Sequence, residues 1–251
     1  MAAEEQPEYD PHDYPPVAAT VDIVALTIRG EVPHVLLIRR GETPHKNSWA
    51  LPGGFIRPDE DLATAALREL AEETHLIVAP HLEQLGTYGT PGRDPRMRVI
   101  SVAHLAIAAG LPEPKSGSDA ADAQWVPLSR LGFGDSDETL PLAFDHAAIL
   151  AAAVERARAK LEYTPIATSF LPQEFTIAQL RAIYESLWNE PLHAANFHRK
   201  VRSVPGFVID TGHIAPSGTD KGGRRARLYR AGDATLLHPA LLRPSTTPPT
   251  A

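Results

Sequence analysis

The 251-residue chain contains no cysteine. Disulfides, thiol nucleophiles and cysteine-ligated zinc or iron–sulfur centres are therefore excluded. It also lacks an apolar run of membrane-spanning length, since the alanine-rich stretch around Ala147 is interrupted by Glu155, Arg156 and Arg158. The opening residues, MAAEEQPEYDPHDYPP, have neither the basic start nor the apolar core of a secretory signal. They are acidic and proline-rich, which predicts a disordered leader over residues 1–16 and a soluble, cytoplasmic protein without a membrane partner. Hydrophobic residues at 43% and a net charge of −7 are ordinary for a globular chain, and the length suits two domains.

What is present falls into two textures. VAATVDIVALTI and VPHVLLIRR alternate apolar with other residues around a turn-like Arg29-Gly30-Glu31, which predicts a hairpin. A Pro52-Gly53-Gly54 break then precedes a helix over residues 61–74, with Leu62, Ala66 and Leu70 on its core face. Two strands are expected within LEQLGTYGTPGRDPRMRVISVAHLAIAAG and a further one in AQWVPLSRL, giving a mixed sheet with an intervening helix. Residues 141–162 hold strong helix formers and read as a connector.

Beyond residue 165 the pattern changes to helix, turn, helix and hairpin. TIAQLRAIYESLWN is amphipathic behind the cap candidate Thr176, and PLHAANFHRKVRS is a second helix with Pro191 near its first turn. GFVIDTG and RRARLYRAG read as two strands, so the assembly predicted is a winged helix-turn-helix. Arg199, Lys200, Arg202, Lys221, Arg224, Arg225, Arg227 and Arg230 crowd this segment, opposed only by Asp210 and Asp220. An acidic chain has thus gathered its positive charge where a recognition helix and wing contact DNA. Asn196, His198, Arg199, Lys200 and Arg202 are the candidate DNA contacts on the helix, with Arg224, Arg225 and Arg227 on the wing. Phe197 and Val201, one turn apart, read as core. The tail PSTTPPTA reads as disordered.

The densest chemistry lies in RELAEETHL, where Glu69, Glu72 and Glu73 stand at i, i+3 and i+4. Their carboxylates share one helical face and repel unless a cation sits among them. Arg68 can pair with Glu72 across one turn, and Glu60 lies at the start of the helix. Hard oxygen donors of this kind suit Mg²⁺ or Mn²⁺, ions that commonly bridge to substrate phosphates. Arg93, Arg96 and Arg98 in the TPGRDPRMR loop, with Arg39 and Arg40 at a strand end, are candidates for bidentate contacts to phosphate or carboxylate.

Gly54, five residues, Glu60, seven residues and then Arg68-Glu69-Leu70-Ala71-Glu72-Glu73 resembles the Nudix box. Every defining position matches except the final glycine, here His75, with Leu76 restoring the aliphatic end. A glycine closing a helix commonly adopts the left-handed conformation, which histidine tolerates at some cost. The substitution therefore touches the loop and not a ligand. The resemblance implies that Glu69, Glu72 and Glu73 hold a divalent metal, that Glu60 assists, that Arg68 orients the glutamates, and that Gly53 and Gly54 lie against the ligand. Together with LPLAFDHAAIL, FTIAQLRAIYESLW, NFHRKV and GRRARLYRAG, the chain resembles the NrtR family of Nudix-related transcriptional regulators of NAD biosynthesis.

That resemblance implies an α+β chain. A Nudix α/β/α sandwich with a mixed sheet is expected over residues 17–140, a connecting helix over 141–165, a winged helix-turn-helix over 166–235 and a disordered tail over 236–251. It further implies a homodimeric repressor of NAD biosynthesis or salvage genes that binds operator DNA and senses ADP-ribose or a related nucleoside diphosphate. The alternative is a Mg²⁺-dependent hydrolase releasing AMP and ribose 5-phosphate from ADP-ribose.

Overall fold

The structure, a computed structural model, describes residues 10–76, 81–114, 120–133, 139–215 and 225–244. The predicted hairpin is β1 (Ala18–Arg29) and β2 (Val32–Arg40), paired antiparallel. Short strands β3 (Trp49–Ala50) and β4 (Gly53–Phe55) follow, then α1 (Leu62–Thr74), β5 (His81–Tyr88), β6 (Val99–Ile107) and β7 (Ala120–Pro127). They form one seven-stranded sheet with the path β3-β2-β1-β6-β5, to which β4 adds on β1 and β7 on β2. Among the described strands β1 and β6 pair in parallel and the other pairs are antiparallel, so the sheet is mixed.

Strand alternation explains how the sheet carries two cores. Val21, Ile23 and Ala25 of β1 pack with Ala65, Ala66 and Leu70 of α1 on one face. Val24 and Leu26 point the other way, into the cluster holding Ile149, Leu150, Ala153 and Val154. Those four belong to α2 (His146–Tyr163), which completes a helix–sheet–helix sandwich. The expected connector is thus a structural layer.

Helix α2 also starts five residues later than the sequence suggests. Residues 141–144 extend the sheet edge, where Leu142 bridges Trp49, the Ala143 amide donates to the Trp49 carbonyl and Phe144 has φ 53°. A left-handed residue cannot propagate a helix.

The second unit follows the predicted order. Helix α3 (Ile177–Trp188) opens with a capping box, in which Thr176 Oγ1 accepts from the Gln179 amide and Gln179 Oε1 accepts from the Thr176 amide. Helix α4 (Ala194–Ser203) begins behind His193, which places Pro191 before the helix and not in its first turn. Strands β8 (Val208–Ile214) and β9 (Arg227–Ala231) pair antiparallel. Phe175 and Tyr229 exchange both backbone hydrogen bonds, so the hairpin gains a third partner.

Residues 236–244 depart from the disordered tail expected from residue 236 onward. Leu237 and Leu241 are buried, and their amides donate to the carbonyls of Tyr163 and Glu162. The partners lie at the end of α2, distant in sequence. Two leucines in a short irregular segment carry no periodicity that announces their burial.

Tyr184 of α3 is fully buried with its ring edge-on to Trp188 and Phe197, and its hydroxyl meets no hydrogen-bond partner among the described residues. Burial pushes its ionisation well above the usual phenol range. An unsatisfied buried hydroxyl is a cost that phenylalanine removes at nearly constant shape. Tyr184→Phe is expected to stabilise the chain by about 1 kcal/mol in urea denaturation. Destabilisation would show that the hydroxyl has a partner.

Candidate functional site

A cleft of 610 Å³ opens between β1, β2, β4, the carboxylate-bearing face of α1, the β5–β6 loop and the start of α2. Two glycines shape its floor by close approach. A Cβ on Gly53 would lie 2.2 Å from the Val21 carbonyl oxygen, and one on Gly54 would lie 2.5 Å from Glu69 Oε1. A side chain at Gly53 would collide with backbone, and one at Gly54 would push the Glu69 carboxylate out of its place.

Helix α1 presents the carboxylates. Asp61 caps it by accepting from the Thr64 amide, and His75 closes it at φ 58°, ψ 20°, with its own amide donating to the Ala71 carbonyl. His75 therefore occupies the left-handed position expected of the missing glycine, at a cost of about 1–2 kcal/mol. The helix end is kept, and the glutamates stay in register.

Arg68 resolves the repulsion among the acids. Its guanidinium donates to Glu60 through Nε at 2.8 Å and through Nη2, to Glu69 at 2.6 Å and to Glu72 at 3.0 Å. A further bond reaches the Phe55 carbonyl at 3.1 Å. Arg57 adds a second contact to Glu72 at 3.0 Å. The Arg68 hydrogen bonds hold the Glu60 carboxyl down at about 2, whereas burial pushes Glu69 up against the pull of Arg68. Glu73, almost fully buried, accepts from the Gly53 amide at 2.8 Å and so ties α1 to the glycine turn.

The donor set is the hard-oxygen kind that divalent cations prefer. As the side chains stand, however, Arg68 occupies the centre of the cluster. Among the described residues no three acidic or histidine side chains converge closely enough to hold a metal ion.

Opposite the acids stand cations. Arg40 and Arg96 both line the cleft; burial, and then the neighbouring Arg96, lower the pKa of Arg40. Arg40 lies 4.8 Å over the Phe144 ring, and Arg96 lies 5.5 Å over Phe55 while pairing with Asp94 at 2.7 Å. Two guanidiniums lining one cleft favour an anion beside them.

The sequence-predicted arginines divide. Arg93 and Arg96 reach the cleft, but Arg39 and Arg98 do not. Arg39 is exposed and donates to the Asn47 carbonyl at 3.1 Å; strand alternation puts Arg40 on the same side as Ile38, which also lines the cleft, so Arg40 takes the inward place. Arg98 is exposed at the start of β6. Arg93 is committed internally, to Asp145 and Asp22. Asp22 and Asp145, which sequence reasoning passed over, hold it, and His146 stands beside Asp22. His146 is buried, accepts from the Leu51 amide at 2.9 Å and faces Asp22 at 3.5 Å. No local motif marks these residues, because the strand and the helix that carry them are far apart in the chain.

In the second unit, Asn196, His198, Arg199, Lys200 and Arg202 are all exposed on α4, while Phe197 and Val201 are buried. On the wing, Arg225 is exposed, Arg227 pairs with Asp210 at 2.7 Å, and Arg224 lies outside the described residues.

A carboxylate helix on a mixed-sheet sandwich, joined to a winged helix, defines a Nudix-type protein with a DNA-binding appendage. The NUDIX domain family matches residues 17–152, and the NrtR DNA-binding winged helix domain matches residues 167–231. The chain belongs to the NrtR family. It is 33% identical to the ADPR responsive transcriptional repressor NtrR of Acinetobacter baylyi, over 89% of this chain and 85% of that protein. Its fold matches NrtR of Shewanella oneidensis, solved with a 27mer DNA, at a TM-score of 0.70 and 33% identity, covering 85% of this chain and 93% of that one. The Nudix domain of the same Shewanella protein, solved with ADP ribose, matches at 0.53 and 35% identity, covering 59% of this chain and 94% of that one. Among the described residues no helix is long and apolar enough to cross a membrane.

Proposed function

We propose that the chain is an ADP-ribose-responsive transcriptional repressor of NAD biosynthesis or salvage genes, acting as a homodimer. The carrying observation is the division of α4, where Phe197 and Val201 are buried while Asn196, His198, Arg199, Lys200 and Arg202 all face solvent. A polar and basic helix face beside a hairpin suits the major groove, with asparagine and arginine reading base edges and lysine contacting phosphate. The Nudix domain of the Shewanella protein, solved with ADP ribose, supports the other half of the reading. In it the cleft takes ADP-ribose, its diphosphate lying between the Arg40–Arg96 side and the α1 side. The ligand-binding set is then Arg40, Arg93, Arg96, Gly53 and Gly54, without Arg39 or Arg98.

Nudix homologues use divalent metals, and Glu60, Glu69, Glu72 and Glu73 have the donor chemistry to hold Mg²⁺ or Mn²⁺, which when bound would neutralise diphosphate oxygens. The chain's own contributions are a carboxylate cradle oriented by Arg68 and a cationic wall opposite it. The same carboxylates carry the second reading, hydrolysis of ADP-ribose to AMP and ribose 5-phosphate.

Purified protein is expected to retard a duplex from a promoter of NAD-synthesis genes and to release it on addition of ADP-ribose. Arg199→Ala with Lys200→Ala is expected to weaken DNA binding by 10-fold or more, on the order of 1 kcal/mol per contact, and to flatten the salt dependence. ADP-ribose binding should be unaffected. Retention of full DNA affinity by the double variant would sink the assignment of α4, and AMP release in the presence of Mg²⁺ would favour the hydrolase.

A further inference from the structure

Asp145 stands at the N-cap position of α2, yet its side chain caps nothing. Its carboxylate instead takes two hydrogen bonds from Arg93, at 2.9 Å from Nε and 2.6 Å from Nη2. The same Nη2 reaches Asp22 at 3.3 Å. Asp22 also accepts from Ser101 and faces His146, so the start of α2 is tied to β1, β6 and the β5–β6 loop through one buried cluster. The Arg93 side chain is 5% exposed, and what remains accessible lines the cleft.

The far end of α2 is bound to the DNA-binding unit. Arg158 Nε donates to the Leu187 carbonyl at 2.7 Å, and Trp188 Nε1 donates to the Arg158 carbonyl at 3.1 Å. Residues 237–243 clamp the same end through the Tyr163 and Glu162 carbonyls and the Glu162 carboxylate, while Arg243 also reaches the Trp188 carbonyl. Between these ends α2 has 18 residues without glycine or proline and is buried along one face. It is a stiff rod of about 27 Å at 1.5 Å per residue.

We infer that the Arg93–Asp145 pair is the positioning contact through which an occupied cleft moves α2 and, with it, the DNA-binding helices. This rests on the reading of the chain as an ADP-ribose-responsive DNA binder. A diphosphate entering the cleft offers Arg93 a second, more highly charged acceptor for its rigid fork of donors. Turning the fork towards phosphate breaks the bidentate bond to Asp145. The freed carboxylate sits at the N-cap position, and a shift of Asp145 from φ −95°, ψ 18° towards the extended backbone of a capping residue would turn it onto the first turn of α2, which gives the helix start a second arrangement. Ligand then shifts the balance by its differential affinity for the two arrangements.

The test uses the full chain and a duplex that the wild type retards, comparing DNA affinity with and without saturating ADP-ribose. Coupled sites commonly differ about 5- to 150-fold in this ratio. Asp145→Ser keeps a capping side chain but loses the reach to Arg93, and is expected to bring the ratio close to one. ADP-ribose affinity measured without DNA should be equal or tighter, because a competitor for Arg93 is gone. Arg93→Lys keeps the charge without the fork and should lose the ratio as well, which covers the case of a poorly folded serine variant. A purely structural pair predicts a lower melting temperature with the wild-type ratio intact, and that result overturns the inference while leaving the repressor reading in place. A ratio of one in the wild type overturns the repressor reading itself, and the inference with it.

Discussion

Replacing Arg68 with alanine is expected to destabilise the chain at neutral pH by about 1–3 kcal/mol, since the half-buried Glu69 carboxylate loses its main donor. The figure is kept modest because the cluster opens to the cleft and solvent screens part of the repulsion. At about 2–4 °C per kcal/mol for a chain of this size, calorimetry resolves the change. The pH dependence identifies its source. Glu60 in the folded protein sits at about 2, below its usual 4.5. A depressed carboxyl contributes stability that is fully present above 4.5 and lost as the pH falls from 4.5 towards 2. Glu69 has the opposite sign, because burial raises it and protonation relieves the folded state. Both effects make Arg68→Ala most harmful at neutral pH and progressively less so in acid. Parallel wild-type and variant stability curves from pH 7 to pH 3 would show that Arg68 does not organise the carboxylates.

The same variant separates two roles for the glutamates. If Arg68 serves only to hold them, adding Mg²⁺ should restore part of the lost melting temperature, since a cation in its place screens the same charges.

The carboxylate cluster was legible because helical spacing alone places Glu69, Glu72 and Glu73 on one face, with Arg68 one turn from Glu72. The left-handed His75 followed from the same local logic, as did the cap at Thr176 and the burial of Phe197 and Val201. The cationic wall was not legible at residue level. Arg39 and Arg40 are adjacent, alternation sends them to opposite faces, and only the assembled sheet shows that the cleft lies on the Arg40 side. Arg93 looked like a free loop arginine, yet its partners Asp145 and Asp22 lie 52 and 71 residues away. Long-range pairs of this kind leave no periodic trace in one sequence. Residues 236–244 escaped for a related reason, because their anchors on α2 are defined only once both cores are assembled.

Replacing Phe197 with alanine is expected to cost about 3–5 kcal/mol, the usual range for emptying a buried aromatic site. Helix α4 is ten residues long, too short to persist in water on its own propensity. Within the helix only Phe197 and Val201 are buried, so its docking rests largely on them. The Phe197 ring packs edge-on to Tyr184 at 5.2 Å, and such contacts add about 0.5–1.5 kcal/mol beyond area alone. Losing that anchor lets the exposed residues Asn196, His198, Arg199, Lys200 and Arg202 sample many orientations, and the entropy of re-ordering them is then charged against DNA binding. DNA affinity should therefore fall much further than for removal of a single phosphate contact. The cleft is lined by β1, β2, β4, α1, the β5–β6 loop and the start of α2, none of which contains Phe197. Calorimetric titration should accordingly find ADP-ribose binding retained by Phe197→Ala under conditions where gel retardation is lost. Loss of both together would mean that the two units unfold as one, through the apolar cluster that runs from α2 into α3 and α4.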